Sequence, residues 1–183
     1  MSEAVMNKKE PGIAQLTIIL GAICLVCALL LGLVNMITAD PIKAAKQRKT
    51  EQAMEAVLPA DSYESVEYTG GDALVKAVYR AGDAGYVVEV TPSGFGGEVD
   101  LMVGVGSDGT VTGISVITHF ETSGLGAKAK TDPEWGKQFI GMSGEVKVSK
   151  DGGKVNAITG ATITSRAVSS GVTAALEAVQ TLG

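Results

Sequence analysis

Four hydroxyls crowd one short stretch, NAITGATITSRAV (residues 156–168), where Thr159, Thr162, Thr164 and Ser165 surround the pair Gly160-Ala161. The stretch runs into an amphipathic helical pattern, so its hydroxyls stand at or near a helix N-terminus. Free N–H groups and the helix dipole make such a place a site for an anion. A phosphate on Thr162 or Thr164 would be held there by both. The plainer alternative is that Thr164 or Ser165 only caps the helix. Two further loops share the small-residue character, SGFGGE (residues 93–98) and SGLGAK (residues 123–128). Glycines in such loops let the backbone approach a ligand closely.

Other chemistries are poorly supplied. His119 is the sole imidazole, and Glu121 and Ser123 follow it too closely in sequence to converge as a hydrolytic triad. No catalytic residue and no metal ligand set is expected. The only thiols, Cys24 and Cys27, form a C-x-x-C pair inside an apolar run, without the further thiols or imidazoles a metal site needs. They read as two small residues on one helix face. The net charge of −5 argues against a nucleic-acid partner.

The elements that must position the hydroxyls follow from patterning. Residues 13–37 (IAQLTIILGAICLVCALLLGLVNMI) carry no charge, about 25 residues against the roughly 20 that cross a bilayer. No signal-peptidase-like site follows, and a signal peptide's apolar region is only about 7–15 residues long. An uncleaved anchor helix over 13–39 is expected, after a tail over 1–12. Gly21, Ala22, Cys24, Ala28 and Gly32 would allow close contact with neighbouring helices. Lys8 and Lys9 precede the span, while Lys43, Lys46, Arg48 and Lys49 follow it. That count alone favours a cytoplasmic C-terminal domain.

Residues 40–60 read as a juxtamembrane helix and linker, with Pro41 in the helix's first turn and Pro59 ending it. The remaining domain, 61–183, is expected to be α+β, a twisted antiparallel sheet flanked by helices. Strands are expected over 73–80 and 85–92 around AGDAG, and over 99–106 and 110–119 around SDG. A loop over 120–130 precedes a short helix with Asp132 as N-cap and Pro133 at N1. A short strand is expected around EVKVSK (residues 145–150). Val168, Val172, Leu176 and Val179 mark a final helix over 165–182, packed on the sheet.

Three blocks together carry a resemblance. HFETSGLG (residues 119–126), DPEWGKQFIG (residues 132–141) and AITGATITSRAV (residues 157–168) resemble the FMN-binding domain of the Rnf complex G subunit. The sister family is the C subunit of the sodium-translocating NADH:quinone oxidoreductase, which is typically longer than this chain. The chain departs from the family pattern at Ser123, where proline is usual, and at Asn156, where an acidic residue is usual. The resemblance runs over nearly the whole chain, including the single anchor.

The resemblance implies FMN joined covalently through its phosphate to Thr162, by a separate flavin transferase using FAD. Thr159, Gly160, Ala161, Thr164 and Ser165 would complete that motif. Glu121, Thr122, Leu125 and Gly126 would belong to the flavin pocket, although Glu121 could instead satisfy backbone donors in its loop. His119 is either half-buried or near the flavin, and Trp135 reads first as a core anchor. The implied protein is an electron-transfer subunit of an ion-translocating ferredoxin:NAD⁺ oxidoreductase, without a complete catalytic site of its own. Its partners would be the other Rnf subunits, the transferase and membrane lipid. It would be single-pass in the cytoplasmic membrane of a bacterium or archaeon, with the flavin domain outside, against the bare charge count. The rivals are the quinone-reductase C subunit and, from another class, a non-redox envelope binding module.

Overall fold

The computed structural model describes residues 12–182, so the tail expected over 1–12 lies, Gly12 aside, outside the described residues. The chain divides into two compact units, Met1–Gln47 and Arg48–Gly183. The boundary falls inside the stretch read as a linker.

The first unit contains most of helix α1, Ile13–Val57. Leu20, Leu25, Leu29 and Leu31 all stand exposed along it. Its most apolar 18-residue window has a mean hydropathy of 2.9, and none of that window is buried. The helix is thus long and apolar enough to cross a membrane. Pro41 lies inside α1 rather than in the first turn of a separate helix. An interior proline costs about 3 kcal/mol locally. Strong helix formers on both sides, Leu-rich before and Ala-, Lys- and Glu-rich after, carry the helix through it.

The second unit is built on a five-stranded antiparallel meander in the order β1 to β5. The strands are β1 Glu64–Val66, β2 Val75–Arg80, β3 Gly85–Val90, β4 Val99–Gly106 and β5 Val111–His119. Four of them fall where alternation and turn chemistry place them. In the β4–β5 turn the Asp108 side chain accepts the Thr110 N–H at 3.0 Å, the local bond that makes SDG a turn. The three-residue β1 was not expected, because no periodic signal fits in so short a run. The strand expected around 145–150 is absent. Only a single parallel bridge, Val148 to Val155, forms there, followed by a 3-10 turn over Ser149–Asp151. Gly152, at φ 84°, turns the chain before a ladder can extend.

The central strands are buried on both faces. On one, Val88, Val90, Leu101 and Val103 share a core with Val168, Val172 and Leu176 of helix α4, Thr162–Leu182. On the other, Val87, Met102 and Ile117 pack with Ala53, Met54 and Val57 at the end of α1. That second contact is very close. Gly104 pairs with Gly113 across β4 and β5, and a Cβ on Gly104 would stand 2.5 Å from the Val57 carbonyl oxygen. The Thr112 hydroxyl donates to the same carbonyl at 2.6 Å. Two short helices, α2 Lys128–Thr131 and α3 Pro133–Gly136, follow β5. Asp132 caps α3 as expected, accepting the Glu134 and Trp135 N–H groups.

The Gly104 contact yields a stability test. Gly104→Val should lower the thermal midpoint of the full chain in detergent, by an overpacking cost of about 1–3 kcal/mol. An unchanged midpoint would show that the end of α1 does not seal this face of the sheet.

Candidate functional site

The three small-residue loops come together at one place. The tip between β3 and β4, the loop after β5 and the approach to α4 enclose a cleft of about 400 Å³. Ligand sites of 300–1,000 Å³ are ordinary. Its walls are Phe95, Glu121, Thr122, Leu125, Gly126, Lys150, Gly160, Ala161, Thr162, Ile163 and Thr164.

Glu121 joins the three loops. It is only 8% exposed. Its Oε1 accepts the Phe95 N–H at 2.7 Å and the Gly96 N–H at 3.1 Å. Its Oε2 accepts the Thr164 hydroxyl at 2.7 Å. Its own N–H donates to His119 Nδ1 at 3.1 Å, which holds the half-buried His119 at the end of β5 and outside the cleft walls. The carboxylate leaves no room for neighbouring side chains. A Cβ on Gly94 would lie 2.1 Å from Oε1, and one on Gly126 would lie 2.4 Å from Oε2. Glu121 thus satisfies backbone donors while also lining the cleft.

The approach to α4 is held from below. Trp135 is buried, its ring edge-on to Phe139 at 5.2 Å, and its Nε1 donates to the Asn156 carbonyl at 2.7 Å. Gln138 Oε1 accepts the Asn156 N–H at 2.9 Å. Trp135 is therefore a core anchor that also fixes where the hydroxyl-rich stretch begins. Gly160, at φ 79°, makes the last bend, and its Cα faces Leu125 so closely that a Cβ would touch Leu125 Cδ2 at 3.0 Å.

The hydroxyls then separate. Helix α4 starts at Thr162, three residues earlier than periodicity placed it. Thr164 and Ser165 therefore lie inside its first turns, and neither caps it. The reason is competition from better partners. Thr164, 1% exposed, donates to Glu121, while the fully buried Ser165 accepts the Ile158 N–H at 2.9 Å and donates to the Ala161 carbonyl at 3.0 Å. Thr159 is exposed, and neither it nor Ser165 lines the cleft. Thr162 does line it, at the helix's first position, with the free N–H groups of that turn around it.

Two residues at this site carry no signal in the sequence motifs. Phe95, 70% exposed, adds an aromatic wall beside Leu125 and Ile163. Its loop, SGFGGE, already stood out by its glycines. Lys150 donates from Nζ to the Thr162 hydroxyl oxygen at 3.2 Å. It comes from the 3-10 turn, which Asp151 fastens to α4 by a two-pronged pair with Arg166, both bonds 2.7 Å. The Arg166 hydrogen bond holds the Asp151 carboxyl below its ordinary value of 3.8. A depressed carboxyl stabilises the fold above that value, and the contribution is lost only as the pH falls below it.

The arrangement fits a phosphorylated flavin. The apolar walls suit a flat ring, Thr122 offers a hydroxyl at the rim, and the helix start with Lys150 suits a phosphate.

Comparison with known proteins gives the same direction. A family model of the FMN-binding domain matches residues 94–177, and one of the RnfG N-terminal region matches residues 6–57. The chain is 34% identical to the G subunit of the Na⁺-translocating ferredoxin:NAD⁺ oxidoreductase complex of Acetobacterium woodii, over 92% of each chain. It is 37% identical to the G subunit of the ion-translocating oxidoreductase complex of Methanosarcina acetivorans, over 85% of this chain and 88% of that one. It is 33% identical to the G subunit of the proton-translocating ferredoxin:NAD⁺ oxidoreductase complex of Clostridium ljungdahlii, over 96% of each.

The Glu121 staple should be costly to remove. Glu121→Ala removes the acceptor of two backbone N–H groups in an exposed loop and strands the buried Thr164 hydroxyl, which alone costs about 1–3 kcal/mol. Thermal unfolding should show a clear fall in midpoint, with Glu121→Gln falling less. Equal stability of Glu121→Ala and the parent would rule out this carboxylate as the joint between the loops.

Proposed function

The chain belongs to the family of Rnf complex G subunits, and from that premise we propose that it is a membrane-anchored electron-transfer subunit carrying FMN on Thr162. The observation that carries the attachment point is the position of Thr162, the first residue of α4, opening on the cleft with a lysine ammonium on its oxygen. Among the hydroxyls of the motif, Thr164 and Ser165 are consumed inside the protein and Thr159 stands away from the cleft. Thr162 is the one that remains for a ligand.

Bound FMN supplies the redox chemistry, accepting and releasing electrons. This chain's residues place it. The Thr162 oxygen would form a bond to the phosphorus of the flavin half of FAD, with AMP leaving and the hydroxyl proton passing to a base on the transferase. Among the described residues no carboxylate or imidazole bonds the Thr162 hydroxyl, which supports a separate transferase over self-attachment. The exposed Gly160 would keep that face of the loop open to the transferase. Phe95, Leu125 and Ile163 would shield the ring, and Thr122 would hydrogen-bond its polar edge.

Residues 13–39 are proposed as a single membrane span, with 40–60 linking it to the flavin domain. The domain is placed on the outer side of the cytoplasmic membrane, where a covalent bond prevents loss of the cofactor. The other subunits of an ion-translocating oxidoreductase complex, the assembly named in the relatives, would donate and accept the electrons. No observation favours the quinone-reductase C subunit, since relatives named as G subunits match over nearly their full length.

The attachment is directly testable. Purified from a host that expresses the transferase, the protein should give a fluorescent band on a denaturing gel under ultraviolet light. Thr162→Val should abolish that band while leaving the folded protein intact. A parent protein without fluorescence, or a Thr162→Val protein that keeps it, would sink the assignment.

A further inference from the structure

A phosphodiester keeps one negative charge at neutral pH, and a helix N-terminus offers only about half a positive charge against it. The turn that lies across the start of α4 offers more. Thr162 and Arg166 are four residues apart and share one face of the helix. Two adjacent residues of the 3-10 turn reach both of them: Lys150 meets the Thr162 hydroxyl at 3.2 Å, and Asp151 meets Arg166 through two bonds of 2.7 Å. The turn is itself fixed. Val148 bridges to Val155, the Asp151 N–H donates to the Val148 carbonyl at 2.9 Å, and Gly152 closes the turn at φ 84°.

The charges on this turn are divided. Arg166 and Asp151 neutralise each other in a fork that fixes both in orientation. Lys150 forms no ion pair with a carboxylate among the described residues. Its ammonium is the uncommitted cation at Thr162. A lysine is a compact, flexible point charge, suited to following a phosphate as it is joined to a side chain.

We infer that Lys150 is the counter-cation of the flavin phosphate, and that the Asp151–Arg166 pair is the positioning device that keeps it over Thr162. The inference rests on the flavin reading of Thr162. It adds a phosphate-specific subsite, built by a segment outside the hydroxyl-rich motif.

The test separates phosphate recognition from folding. Full-length Thr162→Ala protein in detergent, which cannot form the ester, is titrated with FMN and with riboflavin by fluorescence quenching. FMN should bind more tightly, by about fivefold at low salt for an exposed charge pair, and the preference should shrink as salt screens it. Adding Lys150→Met should bring the FMN-to-riboflavin ratio close to one, and adding Lys150→Arg should keep it. Adding Asp151→Asn together with Arg166→Gln, which removes the fork without changing the net charge, should lower the ratio in part, because the lysine is still present but no longer held. Loss of fold or of pocket shape would weaken both flavins together and leave the ratio unmoved. Absence of any FMN preference in the Thr162→Ala protein overturns the inference, as does a preference that survives Lys150→Met or is lost in Lys150→Arg. The flavin reading fails separately, by absence of the fluorescent band in the parent protein.

Discussion

A buried carboxylate is the constraint on which the rest of this domain is arranged. An ionised group taken out of water must recover its solvation from donors in the protein, or the fold loses several kcal/mol. Glu121 recovers it from two backbone N–H groups of one loop and a hydroxyl of the final helix. Those donors come from segments 25 to 43 residues away in sequence. The requirement thus dictates which loops meet and at what distance. It also dictates glycine at 94 and 126, because the carboxylate occupies the space a Cβ would need.

The sheet and helix α4 supply the frame that makes this possible. Val88, Val90, Leu101 and Val103 set the depth of α4 against the sheet, and Gly171 lets the helix come close to Pro92 at the end of β3. The start of α4 is then held beside the β3–β4 tip, where Glu121 can reach both. On the opposite face the end of α1 is pinned by Thr112 and accommodated by Gly104 and Gly113. Both faces of the central strands are therefore sealed, which explains why β3 and β4 read as nearly continuous valine-rich runs rather than as strict alternation.

Much of this was legible in the sequence, where the signal is local. AGDAG and SDG mark tight turns, the apolar runs beside them mark strands, and Val168, Val172 and Leu176 mark the buried stripe of α4. The capping of α3 by Asp132 is equally local. The three glycine loops were visible as a set: the meander order brings two of them to one end of the sheet, and the packing of α4 brings the third. What escaped was decided by tertiary partners. Thr164 and Ser165 look like caps by residue type, but Glu121, Ile158 and Ala161 claim them. Pro41 looks like a helix start, but good helix formers on both sides continue through it. The stretch around 145–150 has strand-like alternation, yet its only partner is one residue of a glycine-broken turn. Lys150 has no motif at all. Its role depends on the neighbouring Asp151 finding Arg166, a pairing across 15 residues that no periodicity announces.

The cleft shows two classes of polar group, and the difference separates framework from function. Glu121 and Thr164, with Ser165 beneath them, are buried, and their hydrogen bonds go to other protein groups. They cannot turn to a ligand without leaving a donor or acceptor unsatisfied, a cost comparable to the gain from a new bond. Thr122, Thr162 and Lys150 are accessible, and the only bond between them is a single contact at 3.2 Å. Exchange of that contact for a phosphate oxygen costs little, because the ammonium keeps a partner and gains one of opposite charge. A rigid inner set thus fixes the geometry of a loosely held outer set. A site organised in this way can accept a bulky cofactor after folding is complete, which is what the proposed attachment by a separate enzyme requires.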